Sequence, residues 1–163
     1  MFDPTSFENM KVVIEGMIYD LDSQRDICLH GRKDLVDLAS FSRIYQIAYT
    51  SFKNEKIMIQ FQLSSHLHQF ASEIMPQQIS GDAGCFVEIT YRGPREIFQD
   101  FHIELLKKKW GPDRVFEERN VDSSQSGKVN ELVIQFERLI TEEMIPDLQD
   151  MVLFSVQTFK LLL

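Results

Sequence analysis

Hydrophobic positions alternate most clearly between Lys56 and Leu63. Ile57, Ile59, Phe61 and Leu63 take one side and Met58, Gln60 and Gln62 the other, the period-two pattern of a strand with one buried face. With Arg43–Ser51 before it and Phe52–Glu55 as the turn, this segment reads as a hairpin. A second hairpin is predicted over Arg114–Val121 and Lys128–Ile140, joined by the polar stretch Asp122–Gly127. In its second arm Leu132, Ile134 and Phe136 share one face, and Gln135 and Glu137 the other. Cys85–Arg92 reads as a further strand. Near the start, Asp3 and Pro4 suggest a short capped helix. Lys11–Leu21 then reads as a strand, with Val12, Ile14 and Ile18 on one face, Val13, Met17, Tyr19 and Leu21 on the other, and a bend at Gly16. Asp22–Arg25 would turn the chain into another strand, Asp26–His30.

Helical spacing is found elsewhere. Asp34–Ser42 is weakly helical, with Leu35, Leu38 and Ala39 on one side. A helix capped by Ser64 or Ser65 runs to Met75, with Leu67, Phe70, Ala71 and Ile74 as its buried stripe and Pro76 as its stop. Another is predicted to open at Pro94, with Ile97, Phe101 and Leu105 one turn apart and Phe98 beside them. Lys107, Lys108 and Lys109 then sit in its last turn, and Gly111–Pro112 ends it. A final helix follows Thr141, its regular part starting at Pro146. These elements predict a single α+β domain over residues 1–163. Its antiparallel sheet has about six or seven strands, with helices packed on one face and a long apolar C-terminal helix. Strand order does not follow from the pattern.

Composition agrees with a packed core: the chain of 163 residues is 44% hydrophobic and holds 13 Phe. Its net charge of −8 disfavours general nucleic-acid binding, which needs a cationic face. The longest apolar run, Met151–Leu163, is too short for a bilayer and carries Ser155, Gln157, Thr158 and Lys160, so no membrane span is expected. With no leader-like segment, the expected compartment is the cytoplasm. Cys28 and Cys85 sit in apolar runs and read as buried, reduced core thiols.

The chemical motifs are weak. Asp20, Asp22, Gln24 and Asp26 alternate as in a calcium loop, but Arg25 and Gly31 stand where such a loop needs Gly and Glu, so the segment reads as a polar hairpin turn. His66 and His68 form an H-x-H pair, yet on a helix residues two apart diverge by roughly 200°. Neither a zinc motif nor a nucleophile elbow is present. Gly93–Pro94, flanked by Arg92 and Arg95, is the one helix start suited to an anion. His66, His68 or His102 beside a carboxylate are the only catalytic candidates, which makes an enzyme the less favoured reading. No cofactor and no metal site are expected.

The last helix is the most informative segment, because its apolar residues occupy well over half of a helical wheel. A helix of that kind is sandwiched or bound on a second side. Met151, Leu153, Phe154, Phe159, Leu162 and Leu163 are therefore the candidate partner interface. The expected function is a non-catalytic protein-interaction module, a homodimer or a binder of another protein. The alternative is a binder of small hydrophobic ligands, with a cavity between the sheet and the C-terminal helix. In outline the chain looks like several secretion chaperones and small immunity proteins, although it shares no motif with them.

Overall fold

The computed structural model describes residues 5–75 and 83–163. In chain order it holds α1 (Thr5–Ser23), β1 (Ile27–Asp37), β2 (Ser42–Ser51), β3 (Met58–Ser65), α2 (Leu67–Ile74), β4 (Cys85–Pro94), α3 (Asp100–Trp110), β5 (Val115–Ser123), β6 (Gly127–Ile140) and α4 (Ile145–Gln157). A 3-10 turn at Glu142–Met144 leads into α4, and a second one, Thr158–Leu162, extends it. The fold is α+β, as the pattern of the sequence predicts. Its six strands form one antiparallel sheet in the order β1-β2-β3-β4-β6-β5, which leaves β1 and β5 as edges. No helix among the described residues is long and apolar enough to cross a membrane.

The first segment departs from its predicted strand. Lys11–Leu21 belongs to a single 19-residue helix that starts at Thr5. Phe7, Met10, Ile14 and Ile18 follow at spacings of three and four, and all four are buried. That stripe outweighs the helix penalty of Gly16, about 1 kcal/mol relative to Ala. Val12, which the strand reading put on a buried face, is exposed. The Asp3–Pro4 cap lies outside the described residues. Asp20–Asp26 forms the end of α1 and the turn into β1, not a turn between strands, and Asp22 Oδ1 accepts a bond from the Leu29 amide.

Asp34–Ser42 is likewise not helical. β1 runs on through Asp37, paired to Ser42 of β2, and Leu38–Phe41 makes the hairpin turn. As an edge strand β1 is mostly exposed, so it carries no clean alternation of apolar residues. The helix predicted at Pro94 starts later, at Asp100 after the Gln99 cap, because Pro94 still pairs with Val129 in the sheet. The delay rotates the helix. Its buried residues are His102, Ile103, Leu106 and Trp110, while Phe101 is exposed. Gly111, at φ 93, ends α3 as expected.

The core lies between the sheet and the helices. Tyr45, Ile47 and Tyr49 of β2, Ile59, Phe61 and Leu63 of β3, Val87, Ile89 and Tyr91 of β4, and Leu132, Ile134 and Phe136 of β6 form its floor. α4 is tied to that floor by buried hydroxyls as well as by packing. Ser155 Oγ donates to the Val152 carbonyl (2.6 Å), so the Tyr49 hydroxyl donates to Ser155 (2.5 Å). In the same way Trp110 Nε1 donates to the Tyr91 hydroxyl (3.0 Å), Tyr91 to Thr158 Oγ1 (2.8 Å), and Thr158 to the Ser155 carbonyl (2.5 Å). No polar atom of these two relays is left unpaired, as burial demands.

Candidate functional site

Of the six residues proposed for an interface on the C-terminal helix, Phe159 and Leu162 are buried within the subunit. Phe159 meets Tyr49 edge-on at 6.3 Å. Met151 and Phe154 are half-buried, with the Phe154 ring set against Trp110 at 4.6 Å. Leu153 and Leu163 are exposed. Between α4 and the sheet, Leu148, Val152, Phe159 and the two hydroxyl relays are packed, and a cleft of about 290 Å3 remains beside them, lined by Met151 of α4, Phe136 and Ile140 of β6, and Trp110.

Among the described residues, a concave apolar surface stands open where the β1–β2 hairpin meets α2. The predicted buried stripe of α2 is mostly not buried: Phe70 is covered, whereas Leu67 is 55% and Ile74 53% exposed. Among the described residues, α2 meets the start of α1, where the Phe7 and Phe70 rings lie edge-on at 6.4 Å, and the Ser6 amide bonds to Glu73. With Val36 and Phe41 of the β1–β2 hairpin, Leu67, Phe70, Ile74 and Met75 line a groove of about 710 Å3. Leu38, in the same turn as Phe41, is also exposed, while Leu35 alternates to the opposite face of β1 from the groove residues Asp34 and Val36.

The groove also touches Asp34 and Arg43, and both are already engaged. Arg43 pairs with Glu8 and Asp34, and Lys11 reaches Asp34 at 2.7 Å. The Arg43 guanidinium stacks over Phe7 at 4.7 Å. Its bonds to Asp34 hold that carboxyl down to about 2. An Asp depressed in this way stabilises the fold fully above its ordinary pKa of 3.8 and loses that contribution as pH falls through 2. Because Asp34 is about a third exposed, solvent screening reduces the contribution to about 1–2 kcal/mol. Urea midpoints at pH 5 and pH 2 are therefore expected to differ more for the native chain than for Asp34→Asn. Equal differences would show that the pair stabilises nothing.

The histidine candidates do not converge. His66 precedes α2 as its cap residue, its backbone amide bonded to Gln69 Oε1 (2.8 Å). His68 is exposed at the second position of the same helix. His102 is buried on α3, where its Nδ1 accepts the Gln99 amide (3.1 Å) and burial pushes the imidazole pKa down. No metal-competent group of three ligand atoms among the described residues includes any of them. At the candidate anion site both arginines are engaged: Arg92 pairs with Glu131, and Arg95 with Asn130 and Asp122. The helix begins at Asp100 rather than at Pro94, and its N-terminal residues Gln99 and Asp100 share a pocket of about 320 Å3 with Arg95.

The two cysteines differ. Cys85 is buried as expected, and its burial pushes the thiol up to about 12. Cys28 is only half-buried, contrary to the expectation of a core thiol, because its strand is an edge and its side chain is on the face away from the core. Desolvation and the carboxylates of Glu55 and Asp22 raise its pKa, so Cys28 lacks the electropositive setting of a nucleophilic thiolate. Its neighbours are His30 and Glu55, a cluster whose one sequence signal is that Cys28 and His30 are two apart on a strand. No protein-family model matches this chain, and neither the curated proteins nor the solved structures contain a significant match to it.

Proposed function

We propose that the protein is a non-catalytic binding module whose groove beside α2 receives an apolar segment of a partner protein. The observation that carries this reading is the meeting of two separate elements, the β1–β2 hairpin and α2, in one concave apolar surface. Exposed apolar side chains gathered in this way are unusual on a monomer surface and mark contact sites. The charged groups at the groove are bonded to one another, so recognition rests on apolar shape rather than on a ligand's charge. A protein segment fits better than a small molecule because the turn that carries Phe41 holds a further exposed apolar side chain, Leu38, outside the groove. An amphipathic helix, with apolar side chains at positions i, i+3 or i+4 and i+7, has the right form for such a trough. The unpaired Cys28 and Cys85 suit a reducing compartment such as the cytoplasm.

A display library of amphipathic helical peptides, selected against the full chain, tests the reading. Selected peptides are expected to lose at least about tenfold in affinity for Ile74→Asp, since burying an unpaired carboxylate against apolar groups costs more than 1.4 kcal/mol. They are expected to keep it for Leu153→Asp. The reading is overturned if the Ile74→Asp protein binds them equally well. It is also overturned if light scattering shows a native dimer that only Leu153→Asp splits, which would return the interface to the C-terminal helix. A co-purifying lipid-like mass in native mass spectrometry, displaced by Ile74→Asp, would replace the protein partner with a small apolar ligand.

A further inference from the structure

We propose that Cys28, His30 and Glu55 form a binding site for a borderline-soft divalent cation of the zinc type. One ligand atom from each of the three lies within 4.8 Å of the other two. Ligands on a tetrahedral zinc, bonded at 2.0–2.3 Å, stand about 3.5 Å apart, so small side-chain movements close the site. The donor set is one sulfur, one imidazole nitrogen and one carboxylate. It is wrong for calcium or magnesium, which take oxygen, and suited to zinc and its spectroscopic substitute cobalt.

The fold accounts for the placement. β1 and β2 slip by one residue between Leu29 and Gly31, so His30 is the extra residue of a bulge. Its Nε2 lies 2.9 Å from the hydroxyl of Thr50, which directly pairs with Cys28 across the strands. Thr50 thereby fixes the position of the ring over the same stretch of β2 that Cys28 faces, as an outer-sphere partner does in known metal sites. Glu55 comes from the turn between β2 and β3, which brings a third ligand from a separate loop to the sheet edge. Asp22 adds negative charge near the thiol, unfavourable for a bare thiolate and favourable for a cation. Binding replaces the S–H bond by an S–metal bond and releases the thiol proton to solvent. The exposed sides of His30 and Glu55 leave a fourth position for water, the arrangement of an open zinc site.

Titration of the full chain with cobalt(II) alone tests the site. The expected result is one equivalent bound, with thiolate-to-cobalt charge transfer and the intense visible bands of tetrahedral cobalt, displaced by zinc. Cys28→Ser is expected to abolish the charge-transfer band. Glu55→Gln and His30→Ala are expected to weaken binding at least about tenfold, the lower bound reported even for outer-sphere changes. Cys85→Ser, if folded, is expected to leave the spectrum unchanged. Only weak, octahedral-type absorption from the native chain would overturn the proposal, as would unchanged affinity in Glu55→Gln and His30→Ala. None of these three residues lines the α2 groove, so failure here leaves the peptide-binding reading to its own test.

Discussion

Phe159→Asp is expected to unfold the domain, and Leu153→Asp to leave it folded with its thermal midpoint little changed. The two residues lie on the same C-terminal segment but in different surroundings. Phe159 is 5% exposed and packs on Tyr49, whereas Leu153 is 42% exposed. Removing a buried Phe ring costs about 3–5 kcal/mol, and an unpaired carboxylate in its place adds a desolvation penalty of several more. That sum is comparable with the whole stability of a domain this size, about 5–15 kcal/mol. Circular dichroism melts of both variants decide the matter. A folded Phe159→Asp protein with an unchanged melt would show instead that the ring adds little to the core.

Gly84→Ala is the second substitution with a large expected effect. A Cβ at Gly84 would overlap the Ile140 carbonyl oxygen and crowd the Leu139 side chain. The carbonyl belongs to the end of β6, where Ile140 pairs with Cys85, so it has no rotamer by which to move away. The Gly84 carbonyl also accepts the buried Ser65 hydroxyl (2.5 Å), which ties β3 to the same point. Forcing β4 outward there disturbs three strands, with an expected loss of about 3 kcal/mol or more. Gly16→Ala supplies the contrast. A Cβ at Gly16 meets nothing within 4 Å, and the position lies inside α1, so a gain of about 0.5–1 kcal/mol is expected. Chemical denaturation of both variants checks the pair. Equal, small effects would mean that the β4–β6 end gives way without cost.

The misreadings of the pattern share a cause. Over Lys11–Leu21 odd and even apolar residues were both present, and only Phe7 and Met10, upstream of that window, reveal the period of 3.6 residues. In α3 the spacing of Ile97, Phe101 and Leu105 was helical in form, but Ile97 precedes the helix, so the buried face fell on Ile103, Leu106 and Trp110. The pattern of α2 predicts a helix, which forms, but says nothing of a cover for its apolar face. Whether a stripe is core or surface depends on what lies opposite, and for α2 that is a hairpin tip more than twenty residues earlier in the chain. The Cys28 cluster was illegible for a similar reason. Two of its members share a strand, but Glu55 joins them only through the β2–β3 turn.

By itself, the sequence determined the class and most of the parts. The two hairpins around Phe61 and Ile134, the stop at Gly111–Pro112 and the start of the last helix at Pro146 all follow from local stereochemistry and periodic burial. These are short-range properties, carried by residues within a few positions of one another. Only the tertiary structure decided the strand order, the burial of Phe159 and Leu162, and the exposure of Leu67 and Ile74. Burial is a property of pairs of surfaces, and the chain specifies which surfaces meet only through all of its long-range contacts at once.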